Sequence, residues 1–261
     1  MKMSSAEAIN AYGANKILFI EGVPDRNTLS RLFGLGGAYN PFEDPTVIVA
    51  KLPHGKSDKV HLPAFQKLLR ETFRLEAKIA CITDQDYELQ EDNDTAIEDN
   101  LPLLMLSLGR KEVENYFLDP NLIYKAAASS ARERGQQTGS AVPTPTVEEI
   151  REQIMLALNE PKIRNTVKFQ VMHQYRETLS ASLDPSSKDI EAERWFNENW
   201  NSEDWQIRYC PGKAVLRSLR VWFQNNFSLT LSNSKLITAF DECPQDIVKV
   251  GQQLEAYFYS S

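Results

Sequence analysis

Lys16–Leu29 reads KILFIEGVPDRNTL. An apolar run of strand character ends at Ile20 and is followed at once by Glu21 and Gly22. A turn with Pro24 and Asp25 comes next, then a helical pattern to about Leu35. A carboxylate at the exit of a buried strand is costly unless other groups meet it there. The same pattern returns downstream. TVIVAKL (Thr46–Leu52) is β-branched and apolar, a second strand. HLPAFQKLLRETFRL spaces Phe65, Leu68, Leu69 and Phe73 on one helical face. AKIACITD (Ala77–Asp84) is a third strand, and LPLLMLSLG reads by apolar content as a fourth, with a short helix as the alternative. Strands alternating with helices predict an α/β fold with a parallel sheet.

After about residue 120 the pattern turns helical. NLIYKAAASSARERG is Ala-rich, QQTGSAVPTPT is a loop, and TVEEIREQIMLALNEPKIRNTVKFQVMHQYRETL reads as two helices broken at Pro161. SKDIEAERWFNENW is a further helix. WQIRYCPGKAVLRSLRVWFQ is read as a return to a strand at Gln206–Tyr209, a Pro-Gly turn and a helix opening at Lys213. A last helix spans about Gln245–Tyr259. The expected organisation is a sheet-forming first part (1–120), a helical insertion (121–205), and a last strand with C-terminal helices (206–261).

Composition narrows the classes. The 261 residues are 42% hydrophobic and 25% charged, a globular balance that can bury a core. No apolar run reaches the ~20 residues of a membrane span, and the N-terminus lacks a secretory h-region. Three scattered cysteines suggest neither a disulfide framework nor zinc. A cytoplasmic location is expected. The net charge of −7 argues against a dedicated duplex-DNA binder but leaves room for an acidic metal site.

The chemistry-bearing residues stand where strands end, the edge at which open α/β sheets bind ligands. Glu21 and Asp25 follow the first strand, and Asp84 and Asp86 bracket Gln85 after the third. In an extended chain, residues two apart project to one side, so this Asp pair can share a ligand. GRKEVENY follows the fourth strand; there Glu114 is a candidate and Glu112 reads as a solvent-facing helix residue. Converging carboxylates repel by several kcal/mol unless neutralised. Oxygen donors of this kind suit Mg2+ or Mn2+. His54, His61 and His173 stand alone in unlike contexts, and Trp195, Trp200, Trp205 and Trp222 read as core. In KLPHGKSDK, Lys51, Lys56 and Lys59, with His54, are expected to contact substrate phosphates.

Together FIEGVPD (Phe19–Asp25) and ITDQD (Ile82–Asp86) resemble the two acidic motifs of the Toprim domain, a Rossmann-like parallel sheet flanked by helices. GRKEVENYFLDP (Gly109–Pro120) and CPGKAVLRSL (Cys210–Leu219) extend the resemblance to the nuclease domain of the overcoming-lysogenization-defect (OLD) family and its stand-alone relatives. The resemblance implies a Mg2+- or Mn2+-dependent endonuclease holding one or two ions. Glu21 matches the first catalytic glutamate, Asp84 and Asp86 the metal pair, Glu114 the second-metal acid and Lys213 the late catalytic lysine. Asp25 stands where many OLD nucleases carry Glu. OLD proteins usually also carry an ABC-type ATPase, yet no Gly-x-x-x-x-Gly-Lys-Ser/Thr loop occurs here. The resemblance therefore implies either a nuclease half separated from its ATPase or, as the favoured reading, an ATPase partner in trans, together with a role in anti-phage defence, a nucleic-acid substrate (DNA or RNA) and a homodimer. A Toprim strand-transfer or primase-like enzyme, and a non-catalytic Toprim-derived subunit, stand as the alternatives.

Overall fold

The structure, a computed structural model, describes residues 15–37, 39–52, 60–73, 76–89, 97–98 and 101–260. The chain divides into two compact units. One comprises 1–84, 92–109 and 241–261; the other comprises 85–91 and 110–240.

The first unit is built on a sheet. Among the described residues its strands are β1 (Lys16–Ile20), β2 (Val47–Lys51), β3 (Lys78–Thr83), β4 (Ile97–Glu98) and β5 (Leu101–Ser107), in the order β2-β1-β3-β5-β4. β2, β1, β3 and β5 are parallel, and β4 pairs antiparallel to β5. Register pairs Ile17 with Ile79 and Phe19 with Cys81, so like-facing side chains align. Those residues form one apolar layer with Leu52 and Leu103, covered by Leu62, Phe65 and Leu69 of α2 (Leu62–Phe73). Leu18, Ile20, Ala80 and Ile82 alternate to the other face and are equally buried. α1 (Val23–Leu35) contacts β1, and the C-terminal helix, α10 (Gln245–Tyr259), contacts β3, β5 and α1. Burial on both faces explains the near-continuous apolar strands.

The second unit is helical: a 3-10 turn η1 (Val113–Phe117), α3 (Pro120–Thr138), α4 (Val147–Leu158), α5 (Pro161–Thr178), α6 (Pro185–Asn199), α7 (Glu203–Tyr209), α8 (Gly212–Phe227) and α9 (Asn233–Ala239). The predicted break at Pro161 is real, with Pro161 opening α5. The strand expected at Gln206–Tyr209 is instead α7. Ser202 caps it, accepting from the Trp205 amide, and Glu203 and Asp204 occupy its first turn. Trp205 and Tyr209, one turn apart, bring their rings to 4.8 Å within an aromatic core that also holds Phe196 and Trp200. Local capping and tertiary packing thus override the strand preference of this short segment. Trp195 packs on the same core, and Trp222 lies against the rings of Phe223 and Phe227. Among the described residues no helix is long and apolar enough to cross a membrane.

Candidate active site

In the sheet unit, Glu21 and Asp84 leave the C-terminal ends of two neighbouring parallel strands, β1 and β3. Glu21 Oε2 accepts a hydrogen bond from the Asp84 amide at 3.3 Å. Asp25 sits in the first turn of α1, where the helix dipole favours an acid. Asp25 and Asp84 are both buried, at 9% and 8% exposure, which is uncommon for carboxylates. Lys51 ends β2 and is exposed; Lys56, Lys59 and His54 lie outside the described residues.

The helical unit contains Asp86, Glu114 and Lys213. Asp86 does not continue an extended strand. Its φ is +53°, a left-handed conformation that Asp tolerates better than most residues. The expectation that alternation alone aligns Asp84 with Asp86 is therefore corrected: the chain turns at Asp86. Two amides hold the turn in place, Gln85 donating to the Arg110 carbonyl at 3.2 Å and Asp86 to the Lys111 carbonyl at 3.1 Å. The buried Gln85 side chain donates to the Glu88 carbonyl and accepts from Arg208 Nε at 3.2 Å. Lys111 in turn donates its amide to the Arg208 carbonyl at 2.9 Å.

GRKEVENY and CPGK, separated by about a hundred residues, meet around Asn115. This amide is completely buried. Its Nδ2 donates to the carbonyls of Ile207 (2.5 Å) and Cys210 (2.9 Å), while Oδ1 accepts from the Glu112 amide at 3.2 Å. Gly212 packs directly on it: a Cβ there would stand 2.4 Å from Asn115 Oδ1 and 2.9 Å from its amide nitrogen. Arg110 donates to the Asn115 carbonyl at 2.9 Å and lies over the Tyr116 ring. The result is a fixed start for α8, with Lys213 Nζ 3.7 Å from Glu114 Oε2.

Glu112 is not the solvent-facing residue that its local pattern suggests. Its side chain is 12% exposed, with Oε2 accepting from the Lys213 amide at 3.0 Å and Oε1 2.5 Å from the buried Lys111 ammonium. The α8 start has this internal carboxylate on it. Lys111 also lies over the Tyr87 ring at 4.9 Å. Burial, with Glu112, Cys210 and Asp86 nearby, pushes the Tyr87 phenol well above its usual range. Burial and Glu112 likewise push the Cys210 thiol up to about 12. Lys111, Asn115 and Arg208 escaped the sequence reading, and Glu112 was read as solvent-facing, because the contacts that decide their roles are remote in the chain.

The candidate metal donors are all carboxylate oxygens, the chemistry preferred by hard cations. Among the described residues, however, no three Asp, Glu, His or Cys side chains stand together as a ready metal-binding group. Compared with known proteins, the chain matches no protein-family model and no curated protein.

Proposed function

We propose that this chain is a Toprim-type, metal-dependent nuclease that hydrolyses phosphodiester bonds. The observation that carries the reading is the pairing of Glu21 with the Asp84 amide, at the C-terminal ends of adjacent parallel strands. That is the edge at which open α/β sheets bind their ligands. Buried Asp25 and Asp84, which otherwise carry a desolvation cost, are in keeping with cation binding.

Glu21, Asp25, Asp84, Asp86 and Glu114 are the residues that would hold Mg2+ or Mn2+, as one ion or two. When bound, such a cation supplies charge neutralisation at phosphorus and an acidified water. Glu21 serves as ligand or general base. The Lys213 ammonium, on a side chain 64% exposed, stabilises negative charge on the phosphoryl oxygens. The raised phenol of Tyr87 and the burial of Tyr116 favour water over either tyrosine as the nucleophile. This supports hydrolysis over strand transfer. Control by an ABC-type ATPase in trans, a homodimer, a cytoplasmic setting and a defence role belong to the same proposal.

The test is incubation with supercoiled plasmid, single-stranded RNA and tRNA in Mg2+ or Mn2+, alongside Glu21→Ala and Asp84→Ala. Cleavage by the wild type that drops by about a hundredfold or more in both folded variants is expected. Equal cutting by the variants, or no cutting of any substrate with either ion, would overturn the assignment.

A further inference from the structure

Within the helical unit, Lys111 and Glu112 form a buried ion pair linked to the main chain of Asp86 and Lys213, two residues that the proposed function assigns to chemistry. Breaking such a pair from one side leaves an uncompensated charge, so the two residues act as a unit. The connections on both sides are specific. The Lys111 carbonyl holds the Asp86 amide, and its ammonium meets Glu112 Oε1. Glu112 Oε2 then takes the Lys213 amide. Amides in the first turn of a helix have no intrahelical acceptor. The Lys213 N–H therefore depends on Glu112.

We infer that Glu112 is a positioning residue, a two-sided clamp braced by buried Lys111 that fixes the main chain of Lys213 and couples it to the turn at Asp86. The inference rests on the nuclease reading for its catalytic consequence but not for its structural one. Glu112 touches no substrate; it orients a group that does. A displaced ammonium would still attract a nucleic acid electrostatically but would miss the transition state, where small misplacements are costly.

Three variants separate this role from simple packing. Glu112→Ala removes both contacts. Glu112→Gln keeps an oxygen for the Lys213 amide but turns a neutral group toward the Lys111 ammonium. Glu112→Gln with Lys111→Met keeps the oxygen and removes the stranded charge. Far-UV circular dichroism checks folding. Two readouts follow: hydrogen exchange at the Lys213 amide without substrate, and single-turnover plasmid cleavage in Mn2+ across plasmid concentration. For Glu112→Ala, exchange should speed up by about tenfold or more. The rate at saturation should fall by about tenfold or more, with half-saturation within about twofold. The double variant should recover most of both losses, and Glu112→Gln alone should fall between. Unchanged exchange in Glu112→Ala would overturn the clamp. So would a loss confined to plasmid affinity, or a double variant no better than Glu112→Ala. Should the wild-type protein cleave nothing, the nuclease reading fails alone, and the exchange measurements still decide whether Glu112 holds Lys213.

Discussion

Replacing Asn115 by alanine tests whether the two late motifs are held together by one buried amide. The side chain occupies a site with no solvent exposure and satisfies three main-chain groups: the carbonyls of Ile207 and Cys210 and the amide of Glu112. The Ile207 carbonyl keeps a weak partner in the Cys210 thiol at 3.4 Å. The Cys210 carbonyl and the Glu112 amide lose the bonds that Asn115 supplies. Each buried group left unsatisfied costs about 1–3 kcal/mol, so the loss should be about 3–4 kcal/mol after partial relaxation. That is a large share of the ~5–15 kcal/mol typical of a domain. Asn115→Asp should be at least as damaging, because it points a carboxylate at two carbonyl oxygens in a dry site. All four tryptophans, Trp195, Trp200, Trp205 and Trp222, lie in the helical unit. Tryptophan fluorescence during urea unfolding therefore reports on that unit alone. Asn226, whose exposed amide donates to the Trp222 carbonyl, is the control and should change stability by less than ~0.5 kcal/mol on replacement by alanine. A loss below ~1 kcal/mol in Asn115→Ala, or an Asn115→Asp protein near wild-type stability, would refute the reasoning.

Gly212→Ala should cost about 2 kcal/mol or more in the same assay, because the new methyl would press on a buried side chain and on backbone rather than on a flexible end; a shift below ~0.5 kcal/mol would show that the contact relaxes freely. In the sheet unit, Asp44 accepts from Tyr39 and Tyr259 hydroxyls and from the amide and hydroxyl of Thr46. Burial opposes its ionisation, but these bonds outweigh burial and hold its carboxyl well below the ordinary range. A folded-state value below the unfolded one gives stability that is present above pH ~4 and is lost as pH falls further. The melting-temperature gap between wild type and Asp44→Asn should therefore narrow as pH drops below ~4, and a gap independent of pH would contradict this.

The sheet was legible because each parallel strand is buried on both faces and so reads as an apolar run. KILFI and KIACIT need no partner to be recognised. The helices were legible from spacing, as with Phe65, Leu68, Leu69 and Phe73 of α2. Reading failed where remote contacts decide. Gln206–Tyr209 looks like a strand locally, but Ser202 capping and the contact between the Trp205 and Tyr209 rings make it a helix. Glu112 looks like a surface acid because its second contact lies 101 residues away. Asp86 broke the alternation assumed for the Asp-Gln-Asp stretch because main-chain bonds to the Lys111 segment turn the chain there. Carboxylates could thus be nominated by their place at strand ends, whereas the groups that orient them could not.

The start of α8 shows why that distinction matters for mechanism. A helix N-terminus ordinarily attracts an anion through its dipole and free amides. Here the Lys213 amide is bound to Glu112, and those of Ala214 and Val215 return to the Pro211 carbonyl. The dipole is already met by a carboxylate of the chain itself. An incoming phosphate would therefore gain little from the helix start and would depend on the Lys213 ammonium. That ammonium sits at the end of a flexible, largely exposed side chain whose root is fixed by Glu112, Asn115 and Gly212. Rigid main chain and movable charge are separated within one residue. Changes at Glu112, Asn115 and Gly212 should accordingly act through geometry and stability, and a change at Lys213 itself through charge.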